Sequence, residues 1–331
     1  MIPSAAPRAI IVGAGLMGRW HADAARRAGA TLVAIVDPEG ERAQRLAARY
    51  RGAVAHERLE PALAGGGIDT VHVCTPLETH ESVIRAAVVA GCHVLAEKPL
   101  APTAAVTEEL LGLAQDRGVL LCPVHQFLFQ PGVLRAQATL AAIGPLRHLD
   151  AVACSAGADR AGDAERDRIA VEILPHPLSL IARFLPGDLK VLPWTARRVA
   201  PGELRALGGA DGVSASILIS MRGRPTANTL TLIGEHGTAR LDLFHGFCVI
   251  EPGRVSRARK ILHPFDLATR TLIGAAGNLL RRAFRAEQAY PGLRELVVGF
   301  CAAALQRKNP PISAQETLAV AIAKDQLLAM M

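Results

Sequence analysis

From Arg8 to Pro123 short β-branched runs alternate strictly with helical stretches, and this alternation narrows the fold more than any other feature. "RAIIVGAG" leads into "LMGRWHADAARRAG", "TLVAIVD" into "PEGERAQRLAARY", "VHVCTP" into "HESVIRAAVVAG", and "HVLAEKP" into "TEELLGLAQDRG" before "VLLCPV". Strand and helix taken in turn build a parallel sheet, because each parallel pair needs a crossover long enough to hold a helix. Residues 1–123 are therefore expected to form an α/β domain with a doubly wound parallel sheet. Beyond Pro123 the pattern changes: "LRHLDAVACS", "GVSASILISM", "ANTLTLIGEHGTARLDLF" and "FCVIEP" follow one another with turn residues between them. This predicts an α+β domain over 124–331, built on an open, mostly antiparallel sheet, with one helix near 169–185 and two after Pro291. A chain of 331 residues agrees with two domains.

Gly13, Gly15 and Gly18, with Leu16 and Met17 between the last two, form G-x-G-x-x-G between the strand "RAIIV" and an amphipathic helix. In that setting glycines let the backbone approach a pyrophosphate at a helix N-terminus, the arrangement of a Rossmann domain. Asp37 ends the next strand, 19 residues after Gly18. Its carboxylate can accept both hydroxyls of an adenosine ribose and would repel a 2′-phosphate. NAD is thus the expected cofactor, while the arginines downstream, Arg42 among them, leave NADP open.

Of 37 basic residues only five are lysine, so Lys98 at the end of an apolar strand asks for a reason. Lysine, unlike arginine, can shift its pKa and exchange a proton. Glu97, Lys98 and Pro99 close one strand, and Thr75 and Pro76 close another, with His80 four residues after Pro76. Ligands of open α/β sheets gather outside the carboxyl ends of the strands, which places both segments at the crevice of the glycine loop.

These residues together resemble the Gfo/Idh/MocA family of glucose-fructose oxidoreductase and inositol dehydrogenase. The likeness rests on Gly13 to Gly18, Asp37, C-T-P-x-x-x-H from Cys74 to His80, E-K-P from Glu97 to Pro99, and the later "LTLIGEHGTARLDLF". The resemblance implies NAD(P) in the Rossmann half, a sugar or sugar-like substrate on the second domain's sheet, and a catalytic role for Lys98. It also implies that the peptide before Pro99 is cis and that the protein is a homo-oligomer, a dimer or tetramer. The family's D-x-G-x-H helix corresponds to "VEILPHPLSL", with Glu172 at the acidic position, His176 at the histidine and Ser179 at the final polar position. Glu172 and His176 lie four apart and would share one helical face, with His176 moving a proton and Glu172 orienting it. Glu replaces Asp, Leu174 replaces Gly, and Pro175 and Pro177 flank the histidine, so the helix must start or kink there. At "VHQFLFQPGV", His125 and Gln126 stand where the family writes an aromatic and an amide, and Leu128 replaces an arginine.

Net charge of +7 fits an anionic substrate, cofactor phosphates or an acidic surface. Nucleic acid is disfavoured, since aromatics are 4% of the residues and no recognised binding motif appears. The six cysteines have no C-x-x-C spacing and read as free thiols, without a zinc or other metal site. No apolar run is long enough to span a bilayer, and a soluble, cytoplasmic protein is expected. Residues 254–285 are cationic at both ends with an apolar centre repeating at helical spacing. Such a helix covers the sheet, shields the active site, docks a partner subunit, or lies peripherally on an anionic membrane.

The expected activity is hydride transfer to or from a carbinol carbon of a sugar, nucleotide-sugar or cyclitol, with Lys98 and His176 handling the oxygen and its proton. Two alternatives are a reductase of C=N bonds on the same fold and a non-catalytic NAD-binding sensor or scaffold.

Overall fold

The computed structural model describes residues 6–157, 159–253, 257–287, 289–306 and 308–331, with the backbone alone at 257–260. The first five residues of the expected first domain and 254–256 of the basic segment lie outside the described residues. The chain divides into two compact units, one of residues up to Val124 with Leu293–Ala321, the other of His125–Gly292 with Ile322–Met331.

In the first unit β1 (Arg8–Val12), α1 (Leu16–Arg27), β2 (Thr31–Val36), α2 (Gly40–Ala47), β3 (Val54–His56) and α3 (Leu59–Ala64) form one half. The other half comprises β4 (Thr70–Val73), α4 (Leu77–Val89), β5 (His93–Ala96), α5 (Ala104–Asp116) and β6 (Leu121–Pro123). The six strands are parallel in the order β3-β2-β1-β4-β5-β6, so the winding reverses between β1 and β4. All four residues of β4 are buried, because helices cover both faces of the sheet. On α1, Gly18, His21, Ala22 and Ala25 are buried, a spacing of three and four that lays one stripe on the sheet.

The second unit begins with α6 (Pro131–Ala138), α7 (Leu140–Ile143), β7 (Leu146–Cys154), α8 (Asp163–Ile173) and α9 (Pro175–Phe184). It continues through β8 (Trp194–Ala200), β9 (Glu203–Ala210), β10 (Val213–Ser220), β11 (Ala227–Gly234), β12 (Gly237–Asp242), β13 (Phe247–Pro252) and α10 (Arg257–Phe284). The seven strands run β13-β12-β11-β7-β10-β9-β8, antiparallel except for β7 beside β10. Val213, Ala215, Ile217 and Ile219 of β10 are buried while the residues between them are half-exposed, the period of two of a sheet packed on one face. Asp211 and Gly212, both at positive φ, make the tight turn from β9 to β10.

Two features depart from the expected outline. The single helix expected over 169–185 is two helices, because Pro175 has no N–H to continue α8 and instead opens α9. α11 (Leu293–Gln306), in the stretch expected to close the second domain, packs on α1 and belongs to the first unit. It buries Leu296, Val297 and Phe300 there, so its apolar face and not its place in the chain decides the boundary. α12 (Ala314–Ala329) follows, started by a reciprocal cap: the Glu316 carboxylate accepts from the Ser313 N–H while Ser313 Oγ accepts from the Glu316 N–H, each at 3.1 Å. Among the described residues no helix is long and apolar enough to cross a membrane.

Candidate active site

The turn from β1 into α1 is made of positions that reject a side chain. A Cβ at Gly13, whose φ is +96°, would lie 2.4 Å from the Cys74 carbonyl oxygen, so the loops after β1 and β4 touch only because this residue is glycine. A Cβ at Gly18 would lie 1.8 Å from the Gly13 carbonyl oxygen. Gly15 differs: nothing stands within 4 Å of its Cβ position, and no side chain caps α1 there. Leu16 and Met17 occupy the first turn of the helix, and Leu16 is 60% exposed. An uncapped helix start beside open space suits a pyrophosphate, which the N–H groups of that turn can bind.

Asp37 follows β2 and is buried. Its Oδ2 accepts from the Ala14 N–H at 2.7 Å and its Oδ1 from the Glu39 N–H at 2.9 Å. One carboxylate thus shapes the glycine loop, and each oxygen keeps a lone pair for a ribose hydroxyl. Arg42, the residue that left NADP open, is paired with Glu39 at 2.8 Å.

The loops after β4 and β5 are clasped by His80, which is buried, with Nδ1 3.0 Å from the Pro99 carbonyl oxygen and Nε2 2.9 Å from that of Thr75. Both partners are acceptors, so the ring ties the two loops together through their backbone carbonyls. Thr75 Oγ1 is buried without a hydrogen-bond partner, a polar atom that a bound ligand would satisfy. The Lys98–Pro99 peptide is cis, and Lys98 is half-buried.

Behind Lys98 lies a cluster that reading the sequence did not identify. Glu97 Oε2 accepts from the Lys98 backbone N–H at 3.2 Å, and its Oε1 is 3.3 Å from His21 Nε2. His21 Nδ1 is 3.1 Å from His72 Nδ1, and the two rings meet edge-on. His72 in turn meets the Phe300 ring at 6.3 Å between centroids, and both histidines are fully buried. The available signal was a histidine inside the apolar strand "TVHV" and another three residues after Gly18, where the helix turns toward the sheet.

Electrostatics follow from this packing. Burial by itself would raise the Glu97 carboxyl, but the hydrogen bond and charge of His21, then Lys98, bring it below the usual carboxylate range. Burial, and after it the charge of Glu97, pushes the Cys74 thiol well up, which keeps it from acting as a thiolate nucleophile. Burial, and after it the charge of His21, holds the His72 ring well below its ordinary 6.5.

The buried His72 ring makes the fold sensitive to acid. As pH falls below 6.5 the unfolded chain takes up a proton there that the folded chain refuses, so the fold weakens with acid. The limiting slope is about 1.4 kcal/mol per pH unit until the folded ring itself protonates. Urea denaturation should show His72→Val losing about 1 kcal/mol less than the wild type between pH values of roughly 6.5 and 5.5. Equal losses would mean that the ring titrates alike in both states.

In the second unit His176 is the second residue of α9, 9% exposed, with Phe127 stacked on its ring at 4.5 Å. Phe127, which the sequence did not single out, belongs to the 3-10 turn Gln126–Phe129. Ser179 Oγ donates to the His176 carbonyl at 2.8 Å, one turn back along α9. Glu172, on α8, is ion-paired with Arg168 at 2.8 Å, and Arg168 also holds Glu165 at 2.6 Å. His125 and Gln126 are both buried at the start of this unit.

Comparison with known proteins agrees with this geometry. The profile of the oxidoreductase family with an NAD-binding Rossmann fold (GFO_IDH_MocA) matches residues 8–125. The dTDP-3,4-didehydro-2,6-dideoxy-alpha-D-glucose 3-reductase of Streptomyces violaceoruber is 33% identical over 221 residues, 63% of this chain but under two thirds, 64%, of the relative's own length. The enzyme of the same name from Streptomyces antibioticus is 31% identical over 249 residues, covering 71% of this chain and 73% of the relative. Among solved structures, the UDP-N-acetylglucosamine 3-dehydrogenase GnnA of Acidithiobacillus ferrooxidans superposes with a TM-score of 0.77 at 20% identity, over 99% of this chain and 98% of that one. With the glycine loop, Asp37 and the Glu97-Lys98-Pro99 turn assembled at the strand ends, and a relative matched over most of both chains, this chain belongs to the Gfo/Idh/MocA oxidoreductase family, built on an NAD-binding Rossmann fold.

Proposed function

We propose that this chain is an NAD(P)-dependent oxidoreductase acting at a carbinol carbon of a sugar, a nucleotide-linked sugar or a cyclitol. The observation that carries the reading is the anchoring of Lys98: its backbone N–H is held by a carboxylate that His21 braces from behind. The two Streptomyces relatives, named for a dTDP-linked sugar, support a nucleotide-linked substrate first. Bound nicotinamide would accept or supply the hydride.

In this reading the Lys98 ammonium donates a hydrogen bond to the substrate oxygen and stabilises the negative charge that grows there. His176 takes the hydroxyl proton or returns it, while the Phe127 ring sets the plane of its imidazole. Glu172, four residues before His176 and ion-paired with Arg168, orients the imidazole together with Phe127 in this reading. Asp37 and the first turn of α1 hold the dinucleotide.

The test is a titration with NADH and NADPH followed by a panel of dTDP- and UDP-sugars, free sugars, inositols and a cyclic imine, read at the nicotinamide absorbance. Tighter binding of NADH and turnover of at least one alcohol or ketone of the panel is expected. His176→Ala should lower kcat by roughly 10²- to 10³-fold and leave NADH affinity unchanged, since the cofactor-holding residues are untouched. Turnover of a cyclic imine alone would select the C=N reductase, and NADH binding without any turnover would select the sensor.

A further inference from the structure

Helix α10 is amphipathic in the inverted sense. Ile261, Phe265, Leu272, Ile273, Leu279 and Phe284 are each at least 68% exposed, and Phe284 reaches 89%. At about 100° per residue all six fall within an arc roughly 140° wide, and the residues downstream of Pro264 span that arc alone. Leu262 and Leu280, each 60% exposed, lie within it.

The side turned to the sheet is mostly small and polar, with Leu267 the one large apolar residue half-buried there among the described residues. A Cβ at Gly274 would lie 3.3 Å from the Phe247 ring of β13, and Asn278 donates to the His245 carbonyl at 2.8 Å. Arg281 pairs with Glu287 at 3.1 Å on the same side. A helix that merely covers a sheet buries its apolar stripe; this one holds on through glycine and hydrogen bonds and presents the stripe outward.

Charge selects the occupant. Residues 257–285 carry seven arginines and lysines against one carboxylate, Asp266, which leaves +6 of the chain's net +7 on this one helix and the residue after it. A second copy docked stripe to stripe would bring +6 against +6. An anionic bilayer takes up the apolar stripe in its interface and neutralises the flanking cations. No described helix is able to cross a membrane, so the fitting arrangement is a helix lying in the interface plane.

We propose that α10 is an interfacial anchor that seats this protein on an anionic phospholipid surface. The full-length chain is expected to sediment with phosphatidylglycerol-containing vesicles at about 50 mM salt, to be released at roughly 500 mM, and to ignore pure phosphatidylcholine. Leu272→Asp with Leu279→Asp should abolish sedimentation without changing the thermal melt, since both side chains are exposed. Arg282→Gln with Arg285→Gln should weaken partitioning roughly 30-fold, about fivefold per cation. Two results would overturn the proposal. One is wild-type protein left in the supernatant above anionic vesicles at low salt. The other is concentration-dependent self-association, measured by sedimentation velocity, that the two leucine substitutions remove, since a second copy would then be what covers the stripe.

Discussion

Lys98→Met is expected to lower kcat by roughly 10³-fold while NADH still binds with nearly wild-type affinity. Methionine keeps the length and apolar stem of lysine and removes only the ammonium. The loop itself is held by Glu97 through the Lys98 backbone N–H, which the substitution leaves in place. The glycine turn and Asp37 are likewise untouched, so the loss falls on chemistry and not on cofactor binding. Lys98→Arg separates charge from geometry: it keeps a cation but not a compact donor able to release a proton, and should remain close to the methionine variant. Quenched-fluorescence binding of NADH beside steady-state turnover makes the comparison. Turnover within threefold of wild type in Lys98→Met would remove Lys98 from the reaction.

The second large effect contrasts two glycines three residues apart. Gly18→Ala forces a Cβ to within 1.8 Å of the Gly13 carbonyl oxygen, so the first turn of α1 must shift against the β1 turn. A stability loss of about 2 to 4 kcal/mol is expected, with NADH binding weakened at least about 100-fold because the N–H groups of that turn move with it. At Gly15 the backbone φ of −72° suits alanine, and a Cβ there meets nothing within 4 Å. Gly15→Ala should therefore cost less than about 1 kcal/mol of stability. It should still weaken NADH binding at least about tenfold, because the new methyl stands where the pyrophosphate approaches. Thermal melts and NADH titrations of both variants check this. Normal NADH affinity in Gly15→Ala would place the cofactor phosphates elsewhere.

Much of the first unit was legible because its signals are local. A strand ending in G-x-G-x-x-G, an Asp at the end of the next strand and E-K-P after a third each depend on a few adjacent residues. The doubly wound order follows once strands and helices alternate. The cluster behind Lys98 was not legible in the same way: Glu97 and His21 are 76 positions apart, His21 and His72 are 51, and only the register of β4 beside β1 brings the two rings together. The pairing of Phe127 with His176 is of the same kind.

α11 and α10 show the limit from the side of packing. Periodicity marks α11 as amphipathic, yet its place in the chain assigns it to the second domain, and contact with α1 places it in the first unit. The period of α10 is equally plain in the sequence and is the same whether its stripe faces in or out. The backbone-level chemistry is written locally in the residues: where glycine is obligatory, where strands end, which positions carry charge. Which of those groups meet, and which apolar face stays exposed, is set by folding, because both depend on registers and packing partners far removed along the chain.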